Sequence, residues 1–295
     1  MEPISVAVRR GPVTESVHHV HAAAVRNGDI VAQRGDPGLV AFYRSACKPI
    51  QALPLARARE DLDEAEFAIA CASHQGEPAQ IEAVRSLLAK APATVDDLEC
   101  GFDEGRPHER IYHNCSGKHA GMLALCRTRG WPTQGYRLAG HPCQDAMLAE
   151  IAAAAETPPE EIPTAVDGCG VLTFGLTLAR MAFSFSRLAE LDGAERALAA
   201  VRNHPRLIGG EGAYDTQLME ALPGWAAKRG AEGLICAVSL DGLGVALKVE
   251  DGNPRALEPA LAAFLDPLGF APDGFASPAL QNSRGENVGV LEVVA

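Results

Sequence analysis

Strand-like runs stand only at the two ends of this chain, and the long stretch between them reads as helix. Near the start, VAVRRG, VHHVHAAAV and DIVAQRG are short β-type runs. The last two are joined by Asn27-Gly28, a pair that suits the positive φ angles of a type I′ hairpin. After Gly230 the pattern returns, with GLICAVSL and GVALKVED flanking Asp241-Gly242 as a second hairpin. A helix is expected from about Pro254 to Leu265, and VGVLEVV closes the chain as a last strand. In the middle, helices are predicted over Glu64–Cys71, Ala79–Lys90, His119–Arg129, Gln144–Ala155, Gly175–Phe183 and Gly193–Asn203. Another is predicted from Ala46 to about Ala58, with Pro49 tolerated in its first turn and Pro54 kinking or shortening it. Strands supplied by both ends can pair in one antiparallel sheet with helices packed on it, an α+β fold. No repeat or low-complexity linker suggests a cut, so one domain over residues 1–295 is expected, with a helical insert at about 60–225.

With 47% hydrophobic residues in 295, the chain can bury a large core. A formal charge of −12 and the lack of any basic stripe argue against a nucleic-acid partner. No apolar run reaches the length of a membrane span, and MEPISVAVRRGPV lacks an apolar segment of signal-peptide length. The eight cysteines then suit free thiols in a reducing cytoplasm better than disulfides. No CxxC pair occurs, so any metal site must draw on scattered ligands.

The chemistry starts at YRSACKPIQALP, where Ser45 precedes Lys48 by three residues. Positions i and i+3 share a helix face, so hydroxyl and amine can meet. A serine hydroxyl becomes a good nucleophile once a base takes its proton, and lysine can be that base only when neutral. Starting from a reference pKa of roughly 10.4, that state needs burial or a second cation close by. Serine hydrolases of the penicillin-binding and β-lactamase type combine SxxK with a second serine loop and a K-T-G strand. Here Ser73 stands in ASHQGE, and Lys228-Arg229-Gly230 stands directly before GLICAVSL. The S-D-N motif is missing, and Arg229 replaces the small hydroxyl residue that serves carboxylate recognition in the β-lactam enzymes.

Taken in order, RSACKPIQALP, ASHQGEP, HNCSGKHAGML, VDGCGVLTFG, YDTQLM, KRGAEGLICAV and GVALKVEDG resemble the Rhizobium-type L-asparaginase family, also called asparaginase II. These blocks run across about residues 44 to 252. The resemblance implies a fold like serine β-lactamases and glutaminases, and hydrolysis of L-asparagine to L-aspartate and ammonia. It implies that Ser45 and Lys48 form one serine–lysine couple, and that Ser73 and Lys228 supply the second serine and lysine. It further implies a zinc ion held by Cys115, Lys118 and Cys169, and a homodimer. The threonine-nucleophile asparaginases are not resembled, since no TGGT block is present.

Other residues stay open at this point. His74 and Glu77 either orient the substrate or line the loop that carries Ser73. Asp215 is either a substrate contact or an N-cap or loop anchor, and Arg44 pairs with a substrate carboxylate or with a helix neighbour. His18, His19 and His21 fit strand alternation better than a metal site. Asp251-Gly252-Asn253 reads as a turn. The expected chemistry is attack by Ser45, deprotonated by Lys48, with backbone N–H groups at the start of the SxxK helix as oxyanion donors. The proton for ammonia is expected to pass through Ser73 and Lys228, although the two couples are chemically alike. Rival readings are a glutaminase or β-lactam hydrolase on the same fold, and a non-catalytic zinc-dependent binding protein.

Overall fold

The computed structural model describes residues 1–294. Strands β1 (Ile4–Arg10), β2 (Val13–Arg26), β3 (Asp29–Arg34) and β4 (Val40–Phe42) open the chain. Short helices α1 (Lys48–Gln51) and α2 (Leu53–Ala58) follow, then α3 (Glu64–Ala70), α4 (Pro78–Lys90), α5 (Ser116–Arg129) and α6 (Pro142–Ala155). After β5 (Thr164–Val166) and β6 (Leu172–Thr177) come α7 (Leu178–Ser186), α8 (Ala194–Asn203), α9 (Pro205–Ile208) and α10 (Tyr214–Ala221). Strands β7 (Ala226–Arg229), β8 (Leu234–Val238) and β9 (Gly244–Val249), helix α11 (Leu257–Leu265), and strands β10 (Ala279–Gln281) and β11 (Asn287–Val294) complete it.

Both chain ends do build one antiparallel sheet. Its order is β10-β11-β1-β2-β9-β8-β7, with β3 paired to the second half of β2. The ends meet through β1 and β11, where Val6 faces Val293, and through β2 and β9, where Val20 faces Val249. At the β2–β3 hairpin Asn27 and Gly28 both have positive φ, 54° and 87°, as the type I′ turn requires. Ala22, Ala23 and Ala24 are all fully buried. Neighbouring strand residues point to opposite faces, so both faces are covered there. Helix α7 lies against β2, β8 and β9, and α11 against β1, β9 and β11. Gly244 makes the α7 contact possible, because a Cβ there would meet Ala182 O at 2.2 Å.

The chain departs from the predicted pattern at α9 and α10, which no predicted helix covers, and in two places nearer the site. The segment predicted as helix from Gly175 to Phe183 begins as strand β6 and turns helical only at Leu178, where Thr177 Oγ1 accepts from the Arg180 N–H as an N-cap. Strands β5 and β6 of the otherwise helical insert join β4, which precedes it, in a second, three-stranded antiparallel sheet. The predicted Ala46–Ala58 helix is divided at Ala52. Pro49 and Pro54 each stand at the start of a short helix, where a missing N–H costs no bond.

Candidate active site

The site forms where α1, the loop after α3, the start of α5 and strand β7 converge. Its first side is a strained corner. Arg44 has φ +50°, a left-handed conformation that costs a non-glycine residue about 1–3 kcal/mol. Three bonds hold it: Arg44 N–H donates to Thr173 Oγ1 at 3.0 Å, Arg44 Nε donates to Asp167 Oδ1 at 2.6 Å, and Cys47 Sγ donates to Arg44 O at 3.0 Å. The next residue, Ser45, is half-buried. Among the described residues its N–H and Oγ meet no hydrogen-bond partner.

Lys48 is 1% exposed and points inward. Its Nζ donates to Ala72 O, to Ser73 Oγ at 2.9 Å and to Cys115 Sγ at 3.3 Å. The hydrogen-bonded couple is therefore Lys48 with Ser73, rather than Lys48 with Ser45. Ser73 itself is fixed by its N–H, which donates to Ile208 O at 2.9 Å.

Lys228 is not bonded to Ser73. Fully buried on β7, its Nζ donates to Asp215 Oδ2 and to Arg229 O, each at 3.0 Å. A buried ammonium prefers a carboxylate to a hydroxyl, which accounts for this choice. Burial pulls the Lys228 pKa down to about 8, the Asp215 carboxylate opposes the shift, and the charges of Lys48 and Arg229 add to it. Asp215, also fully buried, is pushed up by burial, but Lys228 and Arg229 outweigh that and hold it below the ordinary carboxylate value. It also accepts from the Arg229 N–H at 3.1 Å. Asp215 is thus the counter-charge of β7, not an N-cap.

Of the other expected residues, Arg44 is engaged by Asp167. His74 is buried, with Nδ1 accepting from the Gly76 N–H, so its Nε2–H donates to Ser116 Oγ at 2.8 Å. Burial drives its pKa down to about 3, with Lys48 adding to the shift, and it lines the loop as a neutral ring. Glu77 starts α4 and accepts from the Glu211 N–H at 2.8 Å, tying the Ser73 loop to the one after α9. His18 bonds Asp251 at 2.6 Å and His21 bonds Glu250 at 2.7 Å, which are strand-side pairs away from this site.

Cys115, Lys118 and Cys169 do come together. Cys115 is the residue before α5, Lys118 is in its first turn, and Cys169 is in the loop between β5 and β6. Gly117 lets this turn sit on α3, since a Cβ there would meet Ile69 O at 2.1 Å. The Cys115 thiol is lowered by its hydrogen bond with Cys169, burial opposes, and the Lys48 and Lys118 charges assist. Burial pulls Lys118 down, but the charges of Cys169 and Cys115 more than reverse it and raise it. Two thiolate sulfurs and the Lys118 nitrogen, once its proton is displaced, form a sulfur–nitrogen donor set of the kind that zinc takes. Among the described residues no group of three His, Cys, Asp or Glu side chains converges as a metal site; this set has two, plus the lysine. All eight cysteines are free and buried.

Sequence reasoning missed Asp167, Arg229 and Gln51. Asp167 holds Arg44, and its one signal was its place two residues before Cys169. Arg229 had been noted only as a departure from K-T-G, yet its Nη2 donates to Ser73 O at 3.3 Å and Gly209 O at 3.2 Å. Gln51 is 2% exposed, and its Oε1 has no partner among the described residues. With Lys48 and Lys118 it lines a cavity of about 10 Å³, room for one water.

An antiparallel sheet with helices packed on it, and a buried lysine holding a serine hydroxyl, define a class of hydrolytic site. Residues 6–293 match the L-asparaginase II family, and the chain belongs to it, a family of hydrolases acting on amides. Among solved structures it is similar to Mglu in its native form, at 14% identity and a TM-score of 0.49, over 86% of this chain. The chain spans 65% of the length of that protein. It is similar to a Bacillus glutaminase at 12% identity and TM-score 0.47, covering 85% of this chain and 91% of the other. A beta-lactamase from Mycobacterium bovis is similar at 16% identity and TM-score 0.41, covering 78% and 86%. No curated protein matches the chain. Among the described residues no helix is long and apolar enough to cross a membrane.

Proposed function

We propose that the protein hydrolyses L-asparagine to L-aspartate and ammonia by serine–lysine chemistry. The observation that supports this most is the buried contact between Lys48 Nζ and Ser73 Oγ, 2.9 Å, with the half-buried Ser45 one turn before Lys48. Neutral Lys48 takes the proton of Ser73, and Ser73 takes that of Ser45. Ser45 Oγ then attacks the side-chain amide carbon, and the Ser45 N–H receives the oxyanion. The proton returns through Ser73 to the departing ammonia, leaving an aspartyl ester that water cleaves by the same relay. The direct bond to Lys48 favours a second reading, in which Ser73 is itself the attacking atom.

Zinc, when bound by Cys115, Lys118 and Cys169, supplies a cation that ties the α5 start to the β5–β6 loop. A homodimer belongs to the same proposal.

Purified protein is expected to release ammonia from L-Asn faster than from L-Gln, with no turnover of a chromogenic cephalosporin. One methylene is worth only about 1–3 kcal/mol, so both amides must be assayed. Ser45→Ala abolishes turnover, whereas Ser73→Ala, which interrupts the relay, lowers it by roughly 10²- to 10⁴-fold. Mass spectrometry of the acyl-enzyme locates the ester. An ester on Ser73 in an active Ser45→Ala variant selects the second reading, and no ammonia from any amide favours the zinc-dependent binding protein.

A further inference from the structure

The reaction proposed above leaves one question that the site geometry answers: what holds the α-carboxylate of the substrate? Arg44 was the sequence candidate, but its Nε is spent on Asp167 at 2.6 Å. Arg106, held against the loop that carries Ser73, donates to His74 O and Tyr112 O and is paired with Asp103 at 3.3 Å. Each of these two cations has a carboxylate of its own.

The cluster on β7 is different. It holds two cations, Lys228 and Arg229, and one carboxylate, Asp215. Asp215 lies 3.0 Å from Lys228 Nζ but 3.7 Å from Arg229 Nε, so the lysine takes most of its charge. One positive charge is left over. Lys228 and Asp215 are fully buried, while the Arg229 side chain is 25% exposed, so the surplus charge reaches solvent only through the guanidinium. Nη2 is fixed by Ser73 O and Gly209 O, and Nη1 has no partner among the described residues. The guanidinium is thereby held, already oriented, against the backbone of the serine that Lys48 bonds. A planar fork of this kind, partly desolvated and short of a counter-ion, is suited to a carboxylate.

We propose that Arg229 anchors the α-carboxylate of the amino-acid amide, in place of the hydroxyl residue of a K-T-G strand. The proposal rests on the amidohydrolase reading, and its test separates the two. Arg229→Gln and Arg229→Lys are compared with the wild type on L-Asn and on β-alaninamide, which is asparagine without its α-carboxylate. In Arg229→Gln, KM for L-Asn rises roughly 10- to 100-fold, the range of a lost charged hydrogen bond, with kcat within about threefold. Its kcat/KM on β-alaninamide stays within about threefold, so discrimination between the two amides collapses. Arg229→Lys keeps the charge without the fork and recovers part of the loss. Equal loss on both amides, or a fall in kcat at constant KM, overturns the proposal and leaves Arg229 as a brace for the Ser73 loop.

Calorimetric titration with L-aspartate and with β-alanine gives a readout that does not depend on turnover. Wild type binding L-aspartate at least about tenfold tighter than Arg229→Gln does, with β-alanine indifferent to the substitution, supports the anchor even if ammonia release is absent and the hydrolytic reading fails. Equal affinity of the two proteins for L-aspartate, or no binding by either, overturns the anchor.

Discussion

Lys48 Nζ donates to three acceptors, Ala72 O, Ser73 Oγ and Cys115 Sγ, which uses every proton of an ammonium. To act as a base it must lose one, and the one facing Ser73 is the one whose loss leaves a lone pair aimed at a hydroxyl. The second lysine does not share that hydroxyl, because Asp215 holds it. This arrangement makes an asymmetric prediction. Asp215→Asn leaves the buried Lys228 beside the partly exposed Arg229 with no anion, and removing one partner of a buried pair costs about 3–5 kcal/mol. Lys228→Met, of similar volume, leaves Asp215 still paired with Arg229. Urea unfolding should therefore show Asp215→Asn as the more destabilised of the two, and the reverse order would mean that Arg229 does not share the carboxylate.

Between elements, the site depends on loops that no local pattern joins. The NCSGK turn at the start of α5 and the DGCG loop between β5 and β6 meet through Cys115, Cys169 and Lys118. Elemental analysis of protein grown with zinc is expected to find about one equivalent per chain, and Cys169→Ala should lose most of it. Since two serines and two lysines already stand at the site, the variant should raise KM more than it lowers kcat. Under half an equivalent in the wild type would sink the metal site, and a metal-free enzyme with unchanged KM and almost no kcat would make zinc catalytic. The hairpins at Asn27-Gly28 and Asp241-Gly242 were legible in the sequence because a turn is set by the φ preference of its own residues. Strand β6 was not, since its pairing with β4 joins Gly175 to Phe42, far apart in the sequence, and its apolar run suits a helix equally well. The serines, lysines and cysteines were legible as residue types in loops. Their partners were not: Arg44 and Asp167 are 123 positions apart, and Lys228 chooses Asp215 over Ser73 for electrostatic reasons that spacing cannot express.

Over the whole molecule, the same burial that sets up the site also sets the response to alkali. Burial raises the thiols of Cys47, Cys71 and Cys100 to about 12, and that of Cys236 well above its ordinary value. An unfolded thiol loses its proton near pH ~8.5. Between there and about 12 the unfolded chain binds fewer protons than the folded one, so stability falls as pH rises. Lys228 works in the opposite sense. Its folded pKa of about 8 lies below the unfolded value of roughly 10.4. Across that window the unfolded chain binds more protons, and stability rises with pH. These four thiols, joined by the buried Tyr43 hydroxyl that burial also raises, outnumber the lysines that oppose them, Lys228 and the half-buried Lys248, which burial likewise holds below its ordinary value. The urea midpoint, measured under reducing conditions, should therefore fall from about pH 8.5 to 10.5. Lys228→Met removes one of the two opposing lysines, so its midpoint should fall more steeply than that of the wild type across the same range. A midpoint that climbs in the wild type would overturn the thiol assignment. Parallel slopes in the two proteins would mean that Lys228 is not held below its ordinary pKa.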